Sequence, residues 1–170
     1  MNIVSIIIGN ACSLFAMGTD SLSASRKTVN SMLWIQNISQ LLYGVGAVVL
    51  KGYSGAVQNV VCIIRNIAVI KGISSKVVTW LLAAMGVVLG FYFNNLGFMG
   101  LLPIIANLQY TLAVFLLKDN QKALRISFLI SAFLFVFFSF AILNFVGVCT
   151  NLVVAVVTIV SLIKTKPYKQ

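Results

Sequence analysis

Gly52 to Asn66 reads GYSGAVQNVVCIIRN, a stretch apolar enough for a bilayer that still carries Gln58, Asn59, Arg65 and Asn66. Extended to Lys71 it reaches about 20 residues, the length a helix needs to cross the hydrocarbon core. A related run returns later in the chain. NFVGVCTNLVVAVVTIVSLIK (144–164) lies over GYSGAVQNVVCIIRNIAVIK (52–71) at a constant offset of 92. The overlay pairs Gly55 with Gly147, Asn59 with Asn151, Tyr53 with Phe145 and Asn66 with Thr158. Upstream, RKTVNSMLW falls over QKALRISFL after a three-residue indel. Two apolar segments of this length also share letters by chance, so the pairing has to agree with the topology.

The rest of the chain has the same character. Of 170 residues, 61% are hydrophobic and 8% charged, too few charges to solvate a water-exposed surface, so the class is integral membrane protein. The net charge of +10 does not imply nucleic acid, because the basic residues stand between apolar runs rather than on one amphipathic surface. Met1 to Gly18 lacks the basic n-region of a cleaved signal peptide and reads as a retained first helix. Cys12, Cys62 and Cys149 fall in apolar runs without a CxxC pair and read as buried thiols, with neither disulfide nor metal implied. No cofactor motif appears.

Hydropathy, broken at polar and Gly/Asn/Ser clusters, predicts seven helices near 3–19, 30–50, 53–72, 77–94, 98–117, 123–142 and 145–164. The connectors TDSLSASRKT, KGISSK and LKDNQK are polar; NNLG and LNF are short and uncharged. With this count Arg26, Lys27, Lys71, Lys76, Lys118, Lys122, Arg125, Lys164, Lys166 and Lys169 all fall on one side, and Lys51 alone on the other. The positive-inside rule then predicts an external N-terminus and a cytoplasmic C-terminus.

The repeat and the topology agree, because helices 1–3 and 5–7 run in the same directions. The expected fold is therefore an all-α integral membrane protein in a 3+1+3 arrangement, two parallel three-helix repeats joined by an inversion helix, as in SWEET-type carriers. The units are 1–72, the linker helix 77–94, 98–164 and a cytoplasmic tail 165–170.

At these residues the chain resembles bacterial inner-membrane proteins of the YgjV type. The likeness rests on GYSGAVQNVVCIIRN, with Asn59 and Arg65 in N-x(5)-R spacing, and on GLLPIIANLQYTLAVFLL, where Leu101, Leu102 and Pro103 begin the fifth helix. More distantly it is similar to the SWEET and PQ-loop transporters through LLYGVGAVVLKGYSGAVQN, with Tyr43 and Gly44 ending one helix and Asn59 in the next. Helices 1, 2 and 6 lack the prolines that SWEET-like carriers use as hinges. The resemblance implies a location in the bacterial plasma membrane and an architecture; it brings no substrate.

Polar residues recur at helical spacing in five helices. Asn10, Ser13 and Met17 share a face of the first helix; Asn37, Gln40 and Gly44 share one of the second, with Trp34 and Tyr43 beside them. The third has Asn59, Cys62 and Asn66, with Gln58 and Arg65 on the neighbouring edge; the fifth has Pro103, Asn107, Tyr110 and Thr111; the seventh has Asn151 and Thr158. A lipid-facing amide lacks a partner, so these faces should point inward. Two readings stand: amides that bond helix to helix, or a cavity that binds a small polar solute. For the second, the candidate solute contacts are Trp34, Asn37, Gln40, Asn59, Arg65, Asn66, Asn107, Tyr110 and Asn151.

Arg65 has two readings of its own. It lies six residues before Lys71, about 9 Å from the helix end at 1.5 Å per residue, within partial reach of a snorkelling side chain. It could equally face the cavity. Asp20 and Asp119 are expected in cytoplasmic loops, so no intramembrane carboxylate is expected to pair with it or relay protons. With no histidine and no carboxylate in a span, an enzyme is not expected. The leading expectation is a facilitative transporter; the alternative is a non-transporting scaffold or a subunit of a larger membrane complex. Gly86 and Gly90 form a G-x-x-x-G in helix 4 that could pack internally or against a second copy of the chain.

Overall fold

Among the described residues the apolar runs form seven helices: α1 (Ile3–Ala24), α2 (Val29–Val49), α3 (Tyr53–Ile70), α4 (Lys76–Tyr92), α5 (Phe98–Leu116), α6 (Gln121–Ala141) and α7 (Phe145–Lys164). The structure, a computed structural model, describes residues 2–24, 29–73, 75–116 and 120–164. Arg26, Lys27, Lys118, Asp119, Lys166 and Lys169, all used in the charge argument, lie outside the described residues, as does the 165–170 tail. Ile3–Asp20, Tyr53–Ile70 and Lys122–Ala141 are each long and apolar enough to cross a membrane, and the other four helices are apolar over shorter stretches.

Six of the helices match the hydropathy limits within two residues. The exception is α1, which continues through Ala24 and takes up part of the expected connector. TDSLSA contains no glycine or proline to stop it, and Thr19 Oγ1 bonds both the Ala16 carbonyl and Ser39 Oγ of α2, each at 2.8 Å. Asp20 is thereby helical, not in a loop as expected. Pro103 is also displaced from its expected place. It is the sixth residue of α5, past the first turn where a missing N–H is harmless, and it deprives the Met99 carbonyl of its helical donor.

Polarity is inverted relative to a water-soluble bundle. Ile7, Leu41, Trp80, Val88, Phe137 and Val153 are exposed, whereas Ser13, Ser39, Gln58, Asn66, Asn107, Thr111 and Ser139 are buried. An apolar outer surface of this extent is stable in lipid and a liability in water. The thiols follow the same faces. Cys12 and Cys62 are half-buried, but Cys149 is exposed, contrary to the buried reading, because position 149 shares the outer stripe of α7 with Leu152, Val153 and Val156.

Close packing pairs α1 with α2, α2 with α3, α3 with α5, α5 with α6, α6 with α7 and α7 with α1. These six helices form a closed ring. Helix α4 stands outside it, against α3 and α5 alone. Its Gly86 and Gly90 are buried, and a Cβ on Gly90 would come within 2.6 Å of Gln58 Nε2 and 2.7 Å of Ile104. The G-x-x-x-G is thus used for internal packing.

The connections α2–α3 and α6–α7 are the same turn at positions 92 apart. Lys51 and Leu143 both have φ of 59°, the left-handed region that side chains rarely adopt. Lys51 N–H donates to Val48 O and Gly52 N–H to Ala47 O; Leu143 N–H donates to Phe140 O and Asn144 N–H to Ser139 O. This pair of bonds is the Schellman closure of a helix C-terminus. Each left-handed residue is also held from across the ring. The Lys51 carbonyl accepts from Asn95 Nδ2 at 2.7 Å, and the Leu143 carbonyl from Asn10 Nδ2 at 2.9 Å. Beneath the turns Leu50, Leu102, Phe138 and Ile142 form the buried apolar cluster, flanked by Leu96, Leu134 and Phe135.

Gly55 lies against this cluster, and a Cβ there would sit 2.4 Å from the Phe138 ring. Gly55→Ala should destabilise the purified protein by about 1–3 kcal/mol, the usual cost of overpacking. Gly18 has nothing within 4 Å of the same position, so Gly18→Ala should leave thermal unfolding in detergent unchanged or slightly raised. Equal losses in the two variants would refute this packing.

Candidate functional site

The ring encloses a cavity of about 500 Å³ lined by all six of its helices. From α2 come Gln36, Gln40, Tyr43 and Ala47, spaced i, i+4, i+7, i+11 on one face. From α3 come Gly55, Gln58, Asn59, Cys62, Arg65 and Asn66; from α5 Ala106, Asn107 and Tyr110. Helix α6 adds Phe128, Ser131 and Phe135, α7 adds Gly147, Thr150, Asn151 and Val154, and α1 contributes Asp20. Along α3 the lining runs from Gly55 to Asn66, about 17 Å at the helical rise. The Leu50–Phe138–Ile142 cluster closes the end under the turns, and Asp20 and Arg65 lie toward the other.

Seven of the nine candidate residues meet in this cavity: Gln40, Asn59, Arg65, Asn66, Asn107, Tyr110 and Asn151. Trp34 does not. It is 56% exposed, on an outer stripe with Ile38, Leu41 and Val45, and its ring faces the bilayer. Asn37 is also absent from the lining. It shares a helix face with Gly44, which packs on Asn59 and Ala56 of α3, so it sits in the α2/α3 wall with both amide atoms unpartnered.

Asn59 Nδ2 donates to the Gly55 carbonyl of its own helix at 3.0 Å, and Asn151 Nδ2 does the same to Gly147 at 2.8 Å. Each leaves its amide oxygen to the cavity. Arg65 also faces the interior, with its guanidinium 5.7 Å from the Tyr110 ring centroid, a cation–π distance. Its Nη1 is buried and has no hydrogen-bond partner. The Tyr110 ring in turn packs on Phe128. Of the two readings of the arginine, the geometry places it in the cavity.

The expectation that both carboxylates are in loops fails at Asp20. Its side chain lines the cavity and is in hydrogen-bonding contact with Ser39 and Tyr43, while Tyr43 also reaches Thr150 of α7. The argument against proton coupling from a lack of intramembrane carboxylates therefore loses its basis. Gln36, Tyr43 and Thr150 are further lining residues absent from the candidate set. The i, i+4, i+7 spacing of Gln36, Gln40 and Tyr43 is the signal that could have found two of them. Among the described residues no cluster of His, Cys, Asp and Glu could hold a metal ion.

The profile of a bacterial inner membrane protein family, the YgjV type, matches residues 7–169. The chain belongs to this family. No curated protein and no solved structure matches it. Membership and the inverted polarity agree on a protein resident in the bacterial inner membrane, embedded in the lipid bilayer.

In this YgjV-type bundle the remaining amides hold the wall. Gln58, 2% exposed, donates from Nε2 to the Gly86 carbonyl of α4 at 2.8 Å and accepts at Oε1 from Asn107 Nδ2 at 2.7 Å. Cys62 Sγ donates to Asn107 Oδ1 at 3.4 Å. On the far side Asn144 Nδ2 donates to Ser13 Oγ at 2.8 Å, and Asn10 Oδ1 accepts from Val146 N–H at 2.9 Å. The Asn10, Ser13 and Met17 face therefore meets α7 rather than a solute. Gln109 ties α5 to α6 by accepting from Ser127 Oγ at 2.6 Å and by bonding Ser131.

A double-mutant cycle should register the wall bond. Gln58→Leu and Asn107→Leu should each destabilise, and the double variant should lose less than the sum, with a coupling of about 0.6–1.7 kcal/mol by unfolding in detergent or bicelles. Strict additivity would mean that the two amides do not bond.

Proposed function

We propose that the protein is a facilitative transporter that moves a small polar solute through this cavity, without catalysing a reaction. One observation carries the reading: a cavity of about 500 Å³, within the usual range for small-molecule sites, lined from six helices by amides, hydroxyls, rings and two opposite charges. Helix-to-helix bonding explains Gln58, Gln109 and Asn144. Among the described residues it leaves Gln40, Asn66 and the Arg65 Nη1 without a hydrogen bond in the wall.

The proposed architecture is two parallel three-helix units, α1–α3 and α5–α7, with α4 as the inversion helix. The paired turns at Lys51 and Leu143, the paired asparagine bonds at Asn59 and Asn151 and the order of helices round the ring support it. The proposed orientation has the N-terminus outside and the C-terminus in the cytoplasm. Lys71, Lys76, Lys122 and Arg125 at one end of the bundle and Lys51 at the other support it. In that orientation the cavity is shut toward the outside by the Leu50 cluster and faces the cytoplasm.

Reporter fusions test the orientation directly. A reporter at Gln170 should be cytoplasmic and one after Asn95 external; an external C-terminus would overturn the topology.

For the transport reading, a ligand-stability screen identifies a solute and proteoliposome flux down its gradient tests carriage. Asn59→Ala and Asn151→Ala each remove one cavity acceptor and should weaken apparent affinity roughly 5- to 150-fold, with expression near that of the parent. Parental flux in both would rule out these asparagines as contacts. Absence of flux for every bound solute would favour the scaffold reading instead.

A further inference from the structure

Among the described residues the cavity contains one side chain of each formal charge, on different walls. Asp20 comes from α1 and meets Ser39 and Tyr43 of α2, whereas Arg65 comes from α3 and lies over Tyr110 of α5. Neither is spent on the other: among the described residues the partners of Asp20 are hydroxyls, and Arg65 Nη1 is buried without an acceptor. A buried guanidinium N–H without an acceptor is costly, and a carboxylate is the group that matches the planar fork of an arginine at two oxygens. A carboxylate such as Asp20, for its part, is matched by an ammonium. A solute with one charge would satisfy one wall and leave the other charge buried beside apolar or neutral atoms. The same lining offers Tyr43, Phe128 and Phe135 to an apolar body.

We infer that the solute is a small zwitterion of amino-acid type, its carboxylate at Arg65 and its ammonium at Asp20. The inference rests on the reading of this cavity as the carrier's binding site and names the solute class for it.

The test uses the full chain, in detergent for thermal shift and in proteoliposomes for radiolabelled flux. The probes are the neutral L-amino acids, each beside its decarboxylated amine and its deaminated acid, with glucose as an uncharged polar control. At least one amino acid should stabilise the protein and cross the membrane, with its amine and its acid each at least about tenfold weaker. Arg65→Gln should weaken that amino acid roughly 10- to 150-fold while leaving the matching amine nearly unaffected. Asp20→Asn should do the converse, sparing the acid. Arg65→Lys, which keeps the charge without the fork, should fall between parent and Arg65→Gln. The analogue series on the parent chain decides the matter even if a variant fails to fold.

Glucose or a singly charged analogue binding and crossing as well as any amino acid would overturn the zwitterion and leave the carrier standing. Amino-acid stabilisation that depends on both Arg65 and Asp20, without flux, would support the zwitterion site and overturn carriage. Absence of binding by every amino acid would overturn the inference, and glucose flux would then decide the carrier reading separately.

Discussion

The ring depends on amide hydrogen bonds across two seams. Lipid tails are as apolar as leucine, so burial of apolar surface does not draw helices together in a bilayer. The two halves of this chain meet at α3/α5 and at α7/α1, and both seams are polar. At the first, Gln58 and Cys62 meet Asn107, and Asn95 reaches the Lys51 carbonyl. At the second, Asn144 meets Ser13, and Asn10 bonds both the Leu143 carbonyl and the Val146 N–H. Without these bonds each amide would leave at least one polar atom unpartnered in an apolar surrounding. They keep the ring closed, and a closed ring leaves a space at its centre.

Interhelical bonding and cavity lining are therefore not competing uses of the same residues. Gln58 and Asn107 serve both, bonding across the seam while they line the cavity, and the amides differ in what they leave free. In α3, Gln58 spends both ends of its amide on neighbouring helices, while Asn59, the next residue, spends only its Nδ2, on its own backbone. One step of about 100° round the helix separates an amide spent between helices from one with its oxygen unspent. Helix α4 follows from the same division. Its buried glycines let α3 and α5 come close, the Gly86 carbonyl takes the Gln58 proton, and α4 itself contributes no lining residue among those described.

Much of this was legible in the sequence because bilayer crossing imposes a length and a polarity that hydropathy reads directly. The helix limits of α2 to α7 and the interior position of most amides follow from that constraint. The failures have specific causes. Trp34 is expected inward because it lies beside the Asn37 and Gln40 face, but its i+4 and i+7 neighbours, Ile38 and Leu41, put its stripe on the outer surface. Asp20 was read as part of a loop because TDSLSA is polar; polarity marks the end of the hydrocarbon, not the end of a helix, and Thr19 bonds that continue α1 depend on Ser39 of another helix. Pro103 is expected among the residues that begin the fifth helix, yet with α5 starting at Phe98, the limit hydropathy gives, it is the sixth residue. Which seam an amide serves is a matter of helix order, and the local pattern does not encode that order.

The correspondence at an offset of 92 holds at the turns and at the asparagines and stops at Arg65. The turns at Lys51 and Leu143 and the bonds of Asn59 and Asn151 recur because a backbone end near hydrocarbon must be satisfied in the same way each time. Asn66 and Thr158, paired at the same offset, are both buried polar residues. Between them and the asparagines the pairing breaks. Arg65 falls on Val157, which is 62% exposed on the outer surface, while the arginine reaches inward to Tyr110. An arginine at position 157 would lie on that outer surface, where lipid makes a charge costly. Among the described lining residues one guanidinium, from α3, and one carboxyl group, from α1, stand on different walls and leave the cavity electrically polar from wall to wall.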